Sequence, residues 1–85
     1  MSIPRTILPK LAGLSHMARS VLLVAYAVAD EYGEARGIFH ACKAHGQGRL
    51  EVLKSCAELA AADIAKHERD DEGKHVLVLL EWGGS

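Results

Sequence analysis

Arg49-Leu-Glu-Val-Leu-Lys-Ser-Cys-Ala-Glu-Leu-Ala-Ala-Ala-Asp-Ile-Ala-Lys-His-Glu-Arg69, then Asp70-Asp-Glu-Gly73, then His75-Val-Leu-Val-Leu-Leu-Glu-Trp82 is the stretch that decides the fold class. Leu50, Leu53, Ala57, Ala60, Ala61 and Ile64 recur at helical spacing, with Glu51, Lys54, Glu58, Lys66 and Arg69 on the other side, which predicts one amphipathic helix over 49–69. The acidic 70–73 segment breaks it. Residues 75–82 read as a strand, and a strand this apolar needs neighbours for its backbone N–H and C=O groups. The expectation is an α+β domain: a small antiparallel sheet with one main helix.

The partners of that strand must come from upstream. Residues 20–45 allow two readings. In one, Val21, Val24, Ala25, Val28 and Tyr32 keep helical spacing, with Ser15 as cap and Gly33 as stop, and a mostly helical chain results. In the other, strands over 21–30 and 36–44 flank a turn at 31–34, giving a β-hairpin. The need of 75–82 for ladder partners favours the hairpin and a β-β-α-β order. Ahead of it, residues 1–19 form an N-terminal arm or a short helix from Pro9 to about residue 18, with Leu11, Leu14 and Met17 on one face.

Eighty-five residues make a single domain. A chain of this size buries only about 60–65% of the surface that its unfolded form exposes, so small domains of this kind often gain support from a metal, a disulfide or association. The 49% of hydrophobic residues excludes a disordered chain. Arg5, Lys10 and Arg19 precede any acid, whereas residues 30–85 hold seven basic side chains against eleven acidic ones. That balance argues against nucleic-acid binding by the whole surface and leaves the basic arm, with Arg36 as a further candidate, as the alternative nucleic-acid contact. Residues 21–29 imitate a short signal core and the acid-free leader imitates a transit peptide, but the leader is too long for the former, and cleavage would leave about 56 residues and delete an expected strand. No apolar run reaches the length of a membrane span. The expected setting is soluble and cytoplasmic.

Candidate chemistry is sparse. His40, Cys42 and His45, with Cys56, His67 and His75 elsewhere, are zinc-type ligands, yet their spacing matches no standard finger or ribbon, and two buried free thiols explain the cysteines as well. A Cys–His nucleophile lacks an orienting third residue. Asp63 and His67, four apart, read as an ordinary helix pair rather than an acid–base pair. Gly46-Gln-Gly48 lacks the spacing of a phosphate loop. No cofactor and no catalysis is expected. A small zinc-binding or thiol protein is the remaining chemical alternative.

The strand at 75–82 places Val76, Val78, Leu80 and Trp82 on one face and Leu77 and Leu79 on the other, and one helix covers only one face of a sheet. An uncovered apolar face marks an association site. The expected function is therefore a non-catalytic protein-binding module of accessory or inhibitor type, homodimeric, using Leu77, Leu79, Trp82, Leu11 and Leu14 as contacts.

Overall fold

The computed structural model describes residues 5–81. A 3-10 turn at Arg5–Ile7 leads into α1 (Leu8–Leu11) and α2 (His16–Val28), followed by β1 (Glu34–Arg36), α3 (Ile38–Ala44), α4 (Arg49–Ala61), β2 (Ala65–Arg69) and β3 (His75–Leu79). The three strands form one antiparallel sheet in the order β1-β3-β2. The α+β class and the small antiparallel sheet expected from the sequence stand; the order of elements does not.

The hairpin expected over 20–45 is replaced by α2, a three-residue strand and α3. Its first half is helical because Ala18, Val21, Leu22, Ala25 and Tyr26 are buried at i, i+3, i+4, i+7 and i+8, which is one helix face. The Ser15 hydroxyl caps this helix by accepting a 3.1 Å bond from the Ala18 N–H. Only Glu34–Arg36, beyond the apolar run, reaches the sheet, where Ala35 lies opposite Leu77.

The helix expected over 49–69 stops at Ala61. Asp63 adopts a left-handed φ of 57°, its N–H bonds to the Ala60 carbonyl at 3.1 Å, and the Ile64 N–H bonds to that of Leu59 at 3.0 Å. This is a Schellman ending, with buried Ile64 beside buried Leu59, built on aspartate in place of the usual glycine. Residues 65–69 then turn back as β2, so the last strand finds its main neighbour inside the segment read as helix. The buried face of α4 is Val52, Ser55, Cys56 and Leu59. Of the expected stripe, Leu50, Ala57 and Ala61 are exposed, Leu53 and Ala60 are half-buried, and Ile64 is buried beyond the helix end. The expected strand over 75–82 ends at Leu79, and Trp82 lies outside the described residues.

Two loops share one design. In Asp30-Glu-Tyr-Gly-Glu34 and in Asp70-Asp-Glu-Gly-Lys74, the first aspartate donates its N–H to the carbonyl of the fifth residue. Its carboxylate accepts from the N–H groups of the third and fifth residues, and a glycine with φ near +78° closes the loop. In the second case this is a three-residue hairpin loop with the glycine in the left-handed position.

Ala35, Ala65, Leu77 and Leu79 turn toward the helices and meet Leu22, Ala25, Val52, Cys56 and Leu59 in one continuous core. The opposite sheet face carries Val76 and Val78 between Glu34 and Arg36 on one side and Lys66 and Glu68 on the other. That face is not the open apolar sheet surface expected from the strand sequence. The edges are a three-residue strand and a charged one, both poor templates for further pairing. Among the described residues, no helix is long and apolar enough to cross a membrane.

Candidate functional site

Gly37, with φ of 69°, starts α3, and the helix projects Phe39, His40 and Lys43. It closes in a second Schellman turn, in which the Gly46 N–H bonds to the Lys43 carbonyl and the Gln47 N–H to that of Cys42. The chain passes through Gln47 and Gly48 directly into α4, which places Arg49 at that helix's N-terminus beside α3. The start of β3 and its hairpin loop supply His75, Lys74 and Gly73 from the third side. Between these elements lie two adjoining open depressions of about 350 and 460 Å³ that share Phe39, His40 and Arg49.

Phe39 is the centre of this groove. The Arg49 guanidinium carbon stands 5.0 Å from its ring centroid, a cation–π contact. The His75 ring meets it edge-on, with centroids 4.6 Å apart and planes at 63°. Behind His75, His67 Nε2 lies 2.7 Å from His75 Nδ1. Partial burial, and then the neighbouring His67, Arg69 and Arg49, push the His75 imidazole below its ordinary pKa. Lys43, Arg49 and Lys74 bring positive charge, and no carboxylate lines either depression. In a chain of net charge −1 that is a local departure from the average. The acidic Asp70-Asp71-Glu72 turn lies just beyond its Lys74 end, where Glu72 pairs with Lys74 at 3.3 Å.

The residues singled out from the sequence are dispersed. His40 stands on the groove wall and His45 at the exposed end of α3, while Cys42 and Cys56 point into the core. Among the described residues, no three His, Cys, Asp or Glu side chains come together as a metal set, so the group His40, Cys42, His45 and Cys56 is not assembled. Burial raises both thiol pKa values, that of Cys56 to about 11 with Cys42 adding to the effect, which works against a nucleophilic thiolate. Asp63 and His67 sit on a helix cap and a strand, not one helical turn apart.

Leu77, Leu79 and Leu14 belong to the core and offer no surface; Leu11 is half-buried against it. Arg5 is exposed. Lys10 Nζ donates to the Asp63 carbonyl at 3.3 Å and Arg19 to that of Leu14 at 3.1 Å, so both tie the N-terminal segment down. Lys10 therefore marks the C-terminal end of α4, about 20 Å of helix away from Arg49.

Phe39, Lys43, Arg49 and Lys74 lie outside the residues singled out from the sequence, where His67 and His75 stand only as further potential ligands apart from the His40–His45 group. A signal existed: residues 35–50 contain Arg36, Lys43, Arg49, His40 and His45 and no acid, inside the acid-rich part of the chain. Lys74 and His75 join them only through the register of β3 with β1. No family model, no curated protein and no solved structure matches this chain.

Proposed function

We propose that this chain is a non-catalytic binding module that acts by occupying a partner protein, seating an acidic segment of that partner in the groove around Phe39. The observation that carries this reading is the acid-free lining, with Lys43, Arg49 and Lys74 around a half-buried aromatic ring. Cations attract carboxylates, and the ring offers apolar contact to the side-chain stems between them. An exposed ion pair contributes only about 0.2–1 kcal/mol, and Lys74 already pairs with Glu72, so the groove supports weak, salt-sensitive and rapidly exchanging binding. A long nucleic-acid backbone suits the groove less well, because Asp70, Asp71 and Glu72 meet it at one end. The basic residues of the N-terminal segment lie toward the far end of α4. The cytoplasmic setting belongs to the same proposal and is supported by two buried free thiols.

The test is fluorescence anisotropy with three labelled probes: an Asp/Glu-rich peptide, its Lys/Arg-rich counterpart and a single-stranded oligonucleotide. The acidic peptide is expected to bind, to weaken as salt rises, and to lose roughly tenfold in affinity with Lys43→Glu combined with Arg49→Glu. Preference for the oligonucleotide, or acidic-peptide binding indifferent to the double variant, would overturn the reading.

Self-association is a second reading, carried by the N-terminal hydrophobic residues that the sequence offered beside the last strand; of the contacts expected there, Leu11 lines this surface and Leu14 is buried. Leu8 is 51% and Leu23 58% exposed, and Leu23 borders a small depression with Leu11, Leu22 and Arg19.

A further inference from the structure

His67 and His75 occupy neighbouring strands. The register sets His67 opposite Leu77 and His75 opposite Arg69, so the two histidines are diagonal neighbours on the same sheet face. Both are half-buried, and two ring nitrogens converge to 2.7 Å with ring centroids 4.8 Å apart and planes inclined by 31°. A hydrogen bond accounts for this arrangement when one of the two nitrogens carries a proton and the other offers its lone pair. The same convergence is what an ion requires of two imidazoles. Nitrogens held at about 2.0–2.1 Å from one metal, at angles between square and tetrahedral, stand about 2.9–3.4 Å apart. Passing from the first state to the second takes a small opening of the nitrogen pair and a rotation of both rings, so that the two lone pairs point at one common position instead of along the line between the nitrogens.

The backbone beneath the pair is held by the five-residue β2–β3 ladder, and the His75 ring is steadied by its edge contact with Phe39. We propose that His67 and His75 form a cross-strand two-imidazole site for a divalent transition-metal ion of the copper(II), nickel(II) or zinc(II) class, at the back of the groove. No third His, Cys, Asp or Glu among the described residues completes the set. The remaining coordination positions therefore belong to water or to an anion, and the ion exchanges instead of holding the fold together. Imidazole ligands with open positions give the order copper(II) above nickel(II) and zinc(II), and exclude calcium and magnesium, which prefer oxygen. Arg49 and Arg69 nearby oppose a dication, so the site is of modest strength and responds to salt. This inference stands apart from the acidic-segment reading, which needs no metal.

Isothermal titration of the full chain with each metal chloride tests it. One saturable copper(II) equivalent is expected, weakened roughly tenfold or more by either His67→Gln or His75→Gln, with His40→Gln and His45→Gln within about twofold of the unaltered chain. Nickel(II) added to the unaltered protein supplies a readout that does not depend on any variant folding. Paramagnetic broadening is expected first at the ring protons of His67 and His75. Broadening confined to His16, His40 or His45, or the lack of a saturable equivalent, would overturn the proposal. Repeating the peptide titration with a chelator present separates the two ideas, since acidic-segment binding should survive it.

Discussion

Single side chains in this protein take their chemistry from where the backbone puts them. Cys42 and Cys56 are the clearest case: both are completely shielded from solvent in the core, and Cys56 is held protonated up to about 11. Neither thiol is expected to react with a disulfide reagent in the native state near neutral pH, and both should react once the chain is denatured. Fast modification of the folded protein would contradict the packing described for α3 and α4. The same shift has a consequence for stability. In the unfolded chain the Cys56 thiol titrates near its ordinary 9.0, whereas the folded chain keeps the proton until about 11. Above pH 9 the unfolded state releases a proton that the native state retains, so this contribution is intact below pH 9 and declines as pH rises through 11. Urea midpoints measured from pH 8 upward should fall over that window, and Cys56→Ser should flatten the fall. Asp63 shows the opposite relation of residue to backbone. It sits at a positive φ that glycine would take more readily, and for that reason nothing in its neighbourhood announced the end of α4.

At the scale of elements, α4 distinguishes periodicity from burial. Its apolar residues are spread widely enough that two different stripes can be drawn, one through Leu50, Leu53, Ala57 and Ala61, the other through Val52, Cys56 and Leu59. The tertiary structure chooses the second because β2, α2 and α3 all lie on that side. The contrast is measurable. Leu59→Ala is expected to destabilise by about 2–5 kcal/mol, since it empties a fully packed site, whereas Leu50→Ala, 72% exposed, should fall within about 0.5 kcal/mol of the unaltered chain. Equal effects in chemical denaturation would mean that the helix is rotated from the orientation described. The link between α2 and α4 belongs here too. Glu58 accepts from the Ser15 N–H at 2.7 Å and from its hydroxyl at 2.9 Å while that hydroxyl caps α2, so one carboxylate ties the start of one helix to the side of another.

For the whole molecule, the question is what surface remains once the sheet is covered. The helices bury Leu77 and Leu79, and charged side chains flank Val76 and Val78, so a dimer through the sheet keeps only half-buried Val78 and exposed Leu80 of its expected apolar residues among those described. The remaining exposed leucines near the N-terminus, Leu8 and Leu23, are where self-association is now expected. Sedimentation equilibrium should show a concentration-dependent dimer that Leu8→Glu with Leu23→Glu shifts to monomer. A monomer throughout the accessible range would remove this reading and leave the groove as the interaction surface.

Local sequence sufficed wherever a property depends on neighbours along the chain. The apolar run at 75–82 determined a strand with partners, which ends at Leu79, and the spacing from Arg49 determined a helix, which ends at Ala61 and not at 69; the short helix expected from Pro9 to about residue 18 is split, with α1 ending at Leu11 and α2 starting at His16. The turn expected at 31–34 and the break expected at 70–73 do fall in loops, but the first follows a helix and the second joins two strands where a helix end was expected. Tertiary structure decided what depends on neighbours across the chain: that the run at 21–28 is a helix, that residues 65–69 leave a helix to become a strand, and which side of α4 is buried. Each of these sequences is compatible with two local conformations of similar intrinsic preference, and the free energy that separates them comes from burial against distant elements. The groove follows the same rule. Phe39, Lys43 and Arg49 were visible as an acid-free stretch, but only the antiparallel register of β1 and β3 brings Lys74 and His75 beside them, and only the β2–β3 hairpin brings His67 within reach of His75.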